Sequence, residues 1–278
     1  MSAVDLPIYL AWDGSQQADR LGQHALRLAT RRPDRHLHVL TVQEGDHAQL
    51  LRRLEPLAAE ARYLGVNLTP TVLPPAADLY ETLVAAVPER ALLLCGMRAA
   101  ARSGTFLSGT LAERLLREGR HHVLALRLSP GSAGRAARRL LLPVAGRTPT
   151  TLLPVLPLLS AEVLRLDVLR VMEQGPLDRR DRLEARGQVY LDTFVSALGA
   201  VLAPAAPPIQ RSVRVGRTWP AEVIAAATEL ESDLLLLGAT DRLLANLTHT
   251  GGGLEEVLGR APCDVAVWRR ARSAGDAG

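Results

Sequence analysis

The chain has 278 residues, 47% of them hydrophobic and only 3% aromatic, so Leu, Val and Ala must fill a core large enough for two ordinary domains. So few aromatics argue against nucleic-acid binding through stacked bases, and a formal net charge of +4 with basic and acidic residues interspersed reads as solvated surface. All 33 basic residues are Arg, which excludes a Walker-type phosphate lysine, a Schiff-base lysine and a kinase-type catalytic lysine.

In chain order, the apolar run PIYLAW at 7–12 predicts a strand, DGS a turn, and 15–31 an amphipathic helix with Leu21, Ala25, Leu28 and Ala29 on one face. A strand at 36–42, a helix at 48–64, a strand at 68–73 and a helix at 79–87 follow. The uniformly apolar ALLLCG at 91–96 predicts a strand buried on both faces, then come a helix at 110–117 and a strand at 123–128. The second half repeats the order: strand at 139–146, helix near 150–160, strand at 163–171 and helix at 177–198. A strand at 210–215, a helix after Pro220, a strand at 233–238, a helix from Gly253 and a strand at 264–268 complete it. Strands alternating with helices imply parallel sheets covered on both faces, with right-handed crossovers. The expectation is an α/β chain of two tandem doubly wound domains, 1–130 and 139–272, with a Ser/Gly/Arg-rich linker at 131–138 and a frayed tail at 273–278.

Cys95 and Cys263 stand far apart beside apolar runs, as buried reduced thiols in a cytoplasmic protein would. The opening MSAVDLPIYLAWDGS has no basic n-region and carries Asp5 and Asp13, so no signal peptide is expected. The apolar stretch from Leu140 to Ala161 is interrupted by Arg147 and four prolines, so no membrane partner is expected either.

In an open parallel sheet, ligands bind beyond the carboxyl ends of the strands where strand order reverses. After the fourth strand the first half reads GMRAAARSGTFLSGTLAERLL and the second GATDRLLANLTHTGGGLEEVL. Thirteen positions separate Gly96 from Gly109, and thirteen separate Gly238 from Gly251. Glycines let backbone N–H groups approach an anion, and the helix that follows adds partial positive charge. Arg98 and Arg102 could add charge-assisted bonds to a phosphate. Thr110 with Glu113 also forms a capping box, which needs no ligand.

These residues resemble the universal stress protein family, whose nucleotide-binding members carry G-x2-G-x9-G-[ST] at this place. Gly96, Gly109 and Thr110 match it in the first half, and Gly238 and Gly251 in the second. Trp12-Asp13-Gly14-Ser15 resembles the family's first strand end, and APCDVAV at 261–267 its last strand. The resemblance spans nearly the whole chain and implies a tandem stress-response regulator that binds ATP or AMP with or without magnesium. It implies Asp13 near the nucleoside, the backbone near Val42 at the adenine edge, and Gly96, Gly109 and Thr110 around the phosphates, where Arg98 could join them. It also implies that the final strands of the two domains pair as an internal pseudo-dimer; dimerisation of the whole chain stays open.

Ala99 and Asp241 replace the motif's second glycine in the two halves, Ala145 replaces the first-strand Asp, and Gly252 replaces the hydroxyl residue. The site at Gly238, Gly251 and Gly252 is therefore expected to be the weaker one. A nucleotide-free interaction scaffold is the alternative. Outside the match, Asp13 reads as a turn former and Ser103-Gly104-Thr105 as an incidental loop. His36 with His38, and His121 with His122, read as surface or interface packing, since no further ligand stands at metal-binding spacing. Asp178-Arg179-Arg180-Asp181 reads as a solvated helix start. Ser15 and Ser108 have no recognisable His partner and a G-x-S-x-G elbow is absent, so no dedicated catalyst is expected, although slow hydrolysis or autophosphorylation would be compatible with the resemblance.

Overall fold

A computed structural model describes residues 5–42, 47–75, 77–97, 106, 107, 110–130, 132, 136–145, 152–240, 244 and 252–272. The first half runs β1 (Ile8–Ala11), α1 (Gln16–Thr30), β2 (His36–Val42), α2 (His47–Tyr63), β3 (Asn67–Leu73), α3 (Leu79–Ala86), β4 (Leu92–Gly96), α4 (Leu111–Glu118) and β5 (His122–Arg127). The second runs β6 (Arg139–Val144), α5 (Leu156–Leu159), β7 (Arg165–Glu173), α6 (Arg180–Leu202), β8 (Ile209–Gly216), α7 (Trp219–Glu229), β9 (Leu234–Gly238), α8 (Gly253–Arg260) and β10 (Asp264–Arg269).

Local chemistry sets these boundaries. Ser15 caps α1 by accepting from the Ala18 N–H at 3.1 Å, and Asp78 caps α3 by accepting from Tyr80 and Glu81. Gly119 ends α4 in the left-handed conformation, φ +63°, which a side chain would resist.

Two expected helices differ. In place of a helix near 150–160 the described residues hold the single turn Leu156–Leu159, with Pro157 in it, and a 3-10 turn, Ser160–Glu162; a proline has no N–H with which to continue a helix from the residues before it. The helix expected at 177–198 is Arg180–Leu202. A turn in which Asp178 accepts the Gly175 N–H delays its start, and Pro204 lies just beyond its end.

All ten strands form one sheet, ordered β3-β2-β1-β4-β5-β10-β9-β6-β7-β8. Each half is a parallel run, and the halves meet where β5 and β10 pair antiparallel. Ala125 lies opposite Val267; both stand equally far after the first glycine of their loop, Gly96 and Gly238. The seam is thus centred on a residue facing its own counterpart.

Alternation along β5 and β10 sends Leu124, Leu126, Ala266 and Trp268 into a core under α1, α2, α5 and α6. Val123, Ala125, Val265 and Val267 enter the opposite core under α3, α4, α7 and α8. Both cores run through the two halves without a break. Cys95 and Cys263 are free and buried, and burial pushes both thiols up to about 12. Among the described residues, no helix is long and apolar enough to cross a membrane.

Candidate functional site

Strand order reverses between β2-β1 and β4-β5, so the crevice lies beyond the carboxyl ends of β1 and β4. Asp13 stands there, exposed, and its Oδ1 accepts the Ser15 N–H at 3.0 Å. Gly14 comes next at φ +70°, where glycine avoids strain. The turn former expected of Asp13 is therefore present. Beneath it, the buried Trp12 donates its N–H to Leu40 O at 2.9 Å and its Nε1–H to Asp19 at 3.0 Å, which fixes the strand end. Val42 closes β2, half buried.

Gly96 ends β4, exposed at the mouth of the crevice, and among the described residues a Cβ there would meet Leu21, at 3.7 Å. From α1, Gln17 donates to Met97 O at 3.1 Å and ties the helix start to the end of β4. From α2, the Arg53 guanidinium donates to Gly14 O. Nothing local in the sequence singles out Arg53 or Gln17, because only the fold brings α1 and α2 to this loop.

Arg98, Ala99, Arg102, Ser103 to Thr105, Ser108 and Gly109 lie outside the described residues, as do Asp241 and Gly251. Thr110 is described. Its hydroxyl donates to Leu107 O at 2.7 Å and accepts the Glu113 N–H at 3.2 Å. The Thr110 N–H goes to Leu107 O, and the Glu113 carboxylate pairs with Arg117 at 2.9 Å. The threonine half of the capping box is present.

Just before this cap, Phe106 and Leu107 each donate their N–H to the Glu255 carboxylate at 2.8 Å. Glu255 belongs to the first turn of α8 in the other half of the chain. A carboxylate from the second half thus occupies two backbone donors ahead of the first half's helix. Replacing Glu255 with Ala is expected to lower stability by about 2 kcal/mol, because Leu107 is fully buried. Hydrogen exchange at these two amides should accelerate; unchanged exchange would contradict the pairing.

The counterpart crevice beyond β6 and β9 is filled differently. A Cβ on Gly238 would meet Leu152 at 3.3 Å. Arg170 donates to Val144 O at 3.0 Å and stacks on Tyr190, which donates to Ala145 O at 3.4 Å. Gly252 opens α8 with no side-chain cap. Ala145 has no carboxylate to offer where the first half has Asp13.

The histidine pairs sit as interface packing. His36 stacks on His38 and His38 on Tyr9, while His122 stacks on Trp268 across the seam. The charge run at 178–181 is exposed, and Arg179 pairs with Asp181 within it.

No family model matches the sequence, and no curated protein matches it. Solved structures do. A universal stress protein from Archaeoglobus fulgidus DSM 4304 superposes with a TM-score of 0.65 at 17% identity, over 96% of this chain and 98% of that one. A putative universal stress protein from Pseudomonas aeruginosa UCBPP-PA14 gives 0.61 at 18% identity, over 95% and 94%. The cytoplasmic domain of a prokaryotic cation chloride cotransporter gives 0.63 at 14% identity, over 96% of each chain. At such identities the likeness is one of architecture, and the architecture extends over both halves. The chain therefore has the tandem universal stress protein fold, two doubly wound units joined through their last strands.

Proposed function

We propose that the chain binds an adenine nucleotide, ATP or AMP, in its first unit and acts in the cytoplasm as a stress-linked regulator, not as an enzyme. The observation that carries this reading is the difference between the two crevices. At Gly96 a Cβ would make ordinary contact with Leu21, at 3.7 Å, among the described residues, and the Asp13 carboxylate and Arg53 guanidinium stand on the rim. At Gly238 Leu152 stands closer, at 3.3 Å, and Arg170 and Tyr190 cover the end of β6. Asp13 suits the hydroxyls of a ribose, which donate to it, and Arg53 suits phosphate oxygens. The Thr110 hydroxyl would join only by releasing Leu107 O.

Calorimetric titration of ATP and AMP, with and without magnesium, tests the assignment. Asp13→Ala is expected to weaken binding about tenfold, the worth of one good hydrogen bond, and Gly238→Val to leave it unchanged. Equal losses in the two variants would refute the asymmetry.

The second reading, a nucleotide-free scaffold acting through protein contacts, is favoured by Glu255, which already occupies the amides of Phe106 and Leu107. Absence of heat with ATP, ADP and AMP would select it.

A further inference from the structure

A second cleft opens at the opposite edge of the first unit, where Arg90 precedes β4 and His121 precedes β5. The antiparallel seam brings the segment after β10, Arg270 to Arg272, to the same place. The cleft encloses about 1150 Å³, ample for a ligand of nucleotide or sugar-phosphate size. Neither Asp13 nor Gly96 nor Gly238 lines it.

Its chemistry is one-sided. Arg90, Arg120, Arg270 and Arg272 line it, against the carboxylates of Glu81 and Glu89. Glu81 is itself shared between Arg114 at 3.3 Å and Arg120 at 3.6 Å, so positive charge is in excess. Val84 and Pro88 give the wall an apolar portion that an organic body could cover.

A buried polar group points the same way. His121 is only 4% exposed, and its Nε2 lies 2.8 Å from Val87 O, a geometry in which that nitrogen donates. Its Nδ1 is buried with no partner among the described residues. An unpaired buried ring nitrogen is costly unless something in the cleft bonds it. With Nε2 donating, Nδ1 can accept from a ligand hydroxyl.

We propose that this cleft binds a small organic phosphate, with Arg90 and Arg270 on the phosphate and His121 Nδ1 completing the site. Arginine suits phosphate through paired N–H bonds, and arginines contributed by both halves would let such a ligand bear on the seam.

The test is calorimetric titration with ribose 5-phosphate, inorganic pyrophosphate and unphosphorylated ribose, none of which carries adenine. Binding of the two phosphates at submillimolar concentration, and none of ribose, is expected. The double variant Arg90→Ala, Arg270→Ala alters exposed side chains and should keep the fold; it should weaken both phosphates at least tenfold. His121→Gln should weaken ribose 5-phosphate, while Asp13→Ala should leave both ligands unaffected. Absence of phosphate binding, or binding that the double variant leaves intact, would overturn the proposal; sensitivity to Asp13→Ala instead would assign the phosphates to the other crevice.

Discussion

Arg127→Leu is expected to lower the free energy of unfolding by about 4 kcal/mol, a large share of what a typical domain has. Arg127 lies in β5 and is 6% exposed. Its guanidinium crosses the seam and donates from Nε to Leu258 O at 2.7 Å, from Nη1 to Cys263 O at 2.8 Å and from Nη2 to Ala261 O at 2.7 Å. These carbonyls belong to the end of α8 and the turn into β10, where a helix leaves acceptors unpaired and favours a cation. Burial lowers the arginine's pKa, but from so high a value that it stays charged. Leucine would leave three inward carbonyls without a donor, and lysine could serve them only as a point charge. Urea titration measures the loss, and a change below about 1 kcal/mol would show that water replaces the guanidinium.

Acidification supplies the second large effect. His24 is held down to about 4 by burial, then by Arg27, with Asp264 opposing. His122 is held down to about 4 by burial, then by Arg270 and His121. Both stay neutral in the folded protein below the ordinary value of 6.5, where the unfolded chain takes up protons. Above that value neither contributes. As pH falls from 6.5 towards 4 the unfolded state binds more protons, and stability declines by about 3 kcal/mol for His24 and by less for the more solvent-screened His122. Both residues flank the seam: His24 lies 3.6 Å from Asp264 at the start of β10, and His122 stacks on Trp268. The midpoint of thermal unfolding should therefore fall steeply between pH 6.5 and 4, and less steeply in His122→Gln. A flat profile in that window would rule out the effect.

Most of the fold was legible because each strand is a short run between turn residues and each half repeats the other. Asp13-Gly14-Ser15 was readable as the turn ahead of the first helix. The helix at 150–160 was not, since its leucines keep a helical pattern while Pro154 and Pro157 lack the N–H groups that a continuous helix needs. Asp13 illustrates the limit at the site: alone it reads as a turn former, which it is, and only the resemblance gives it a ligand. Glu255 and Arg53 left no local trace, because Glu255 meets Leu107 across 148 residues of chain. Arg127 did leave one. A charge inside VLALRL recurs as Arg269 in β10, and both are buried; a charged residue repeated in two apolar strands announces a contact between them.

The seam also decides what remains open to the outside. By joining β5 to β10, the chain spends its two fully buried last strands on itself, and only β3 and β8 face outward along the sheet. Pro70 within β3 cannot donate to an incoming strand. On β8, Arg211 and Arg214 reach across to Asp192 and Glu229, so a strand arriving there meets a row of paired charges. The ten-stranded sheet is in this sense self-terminating: it grows by one internal docking event, and both of its ends carry residues that discourage another.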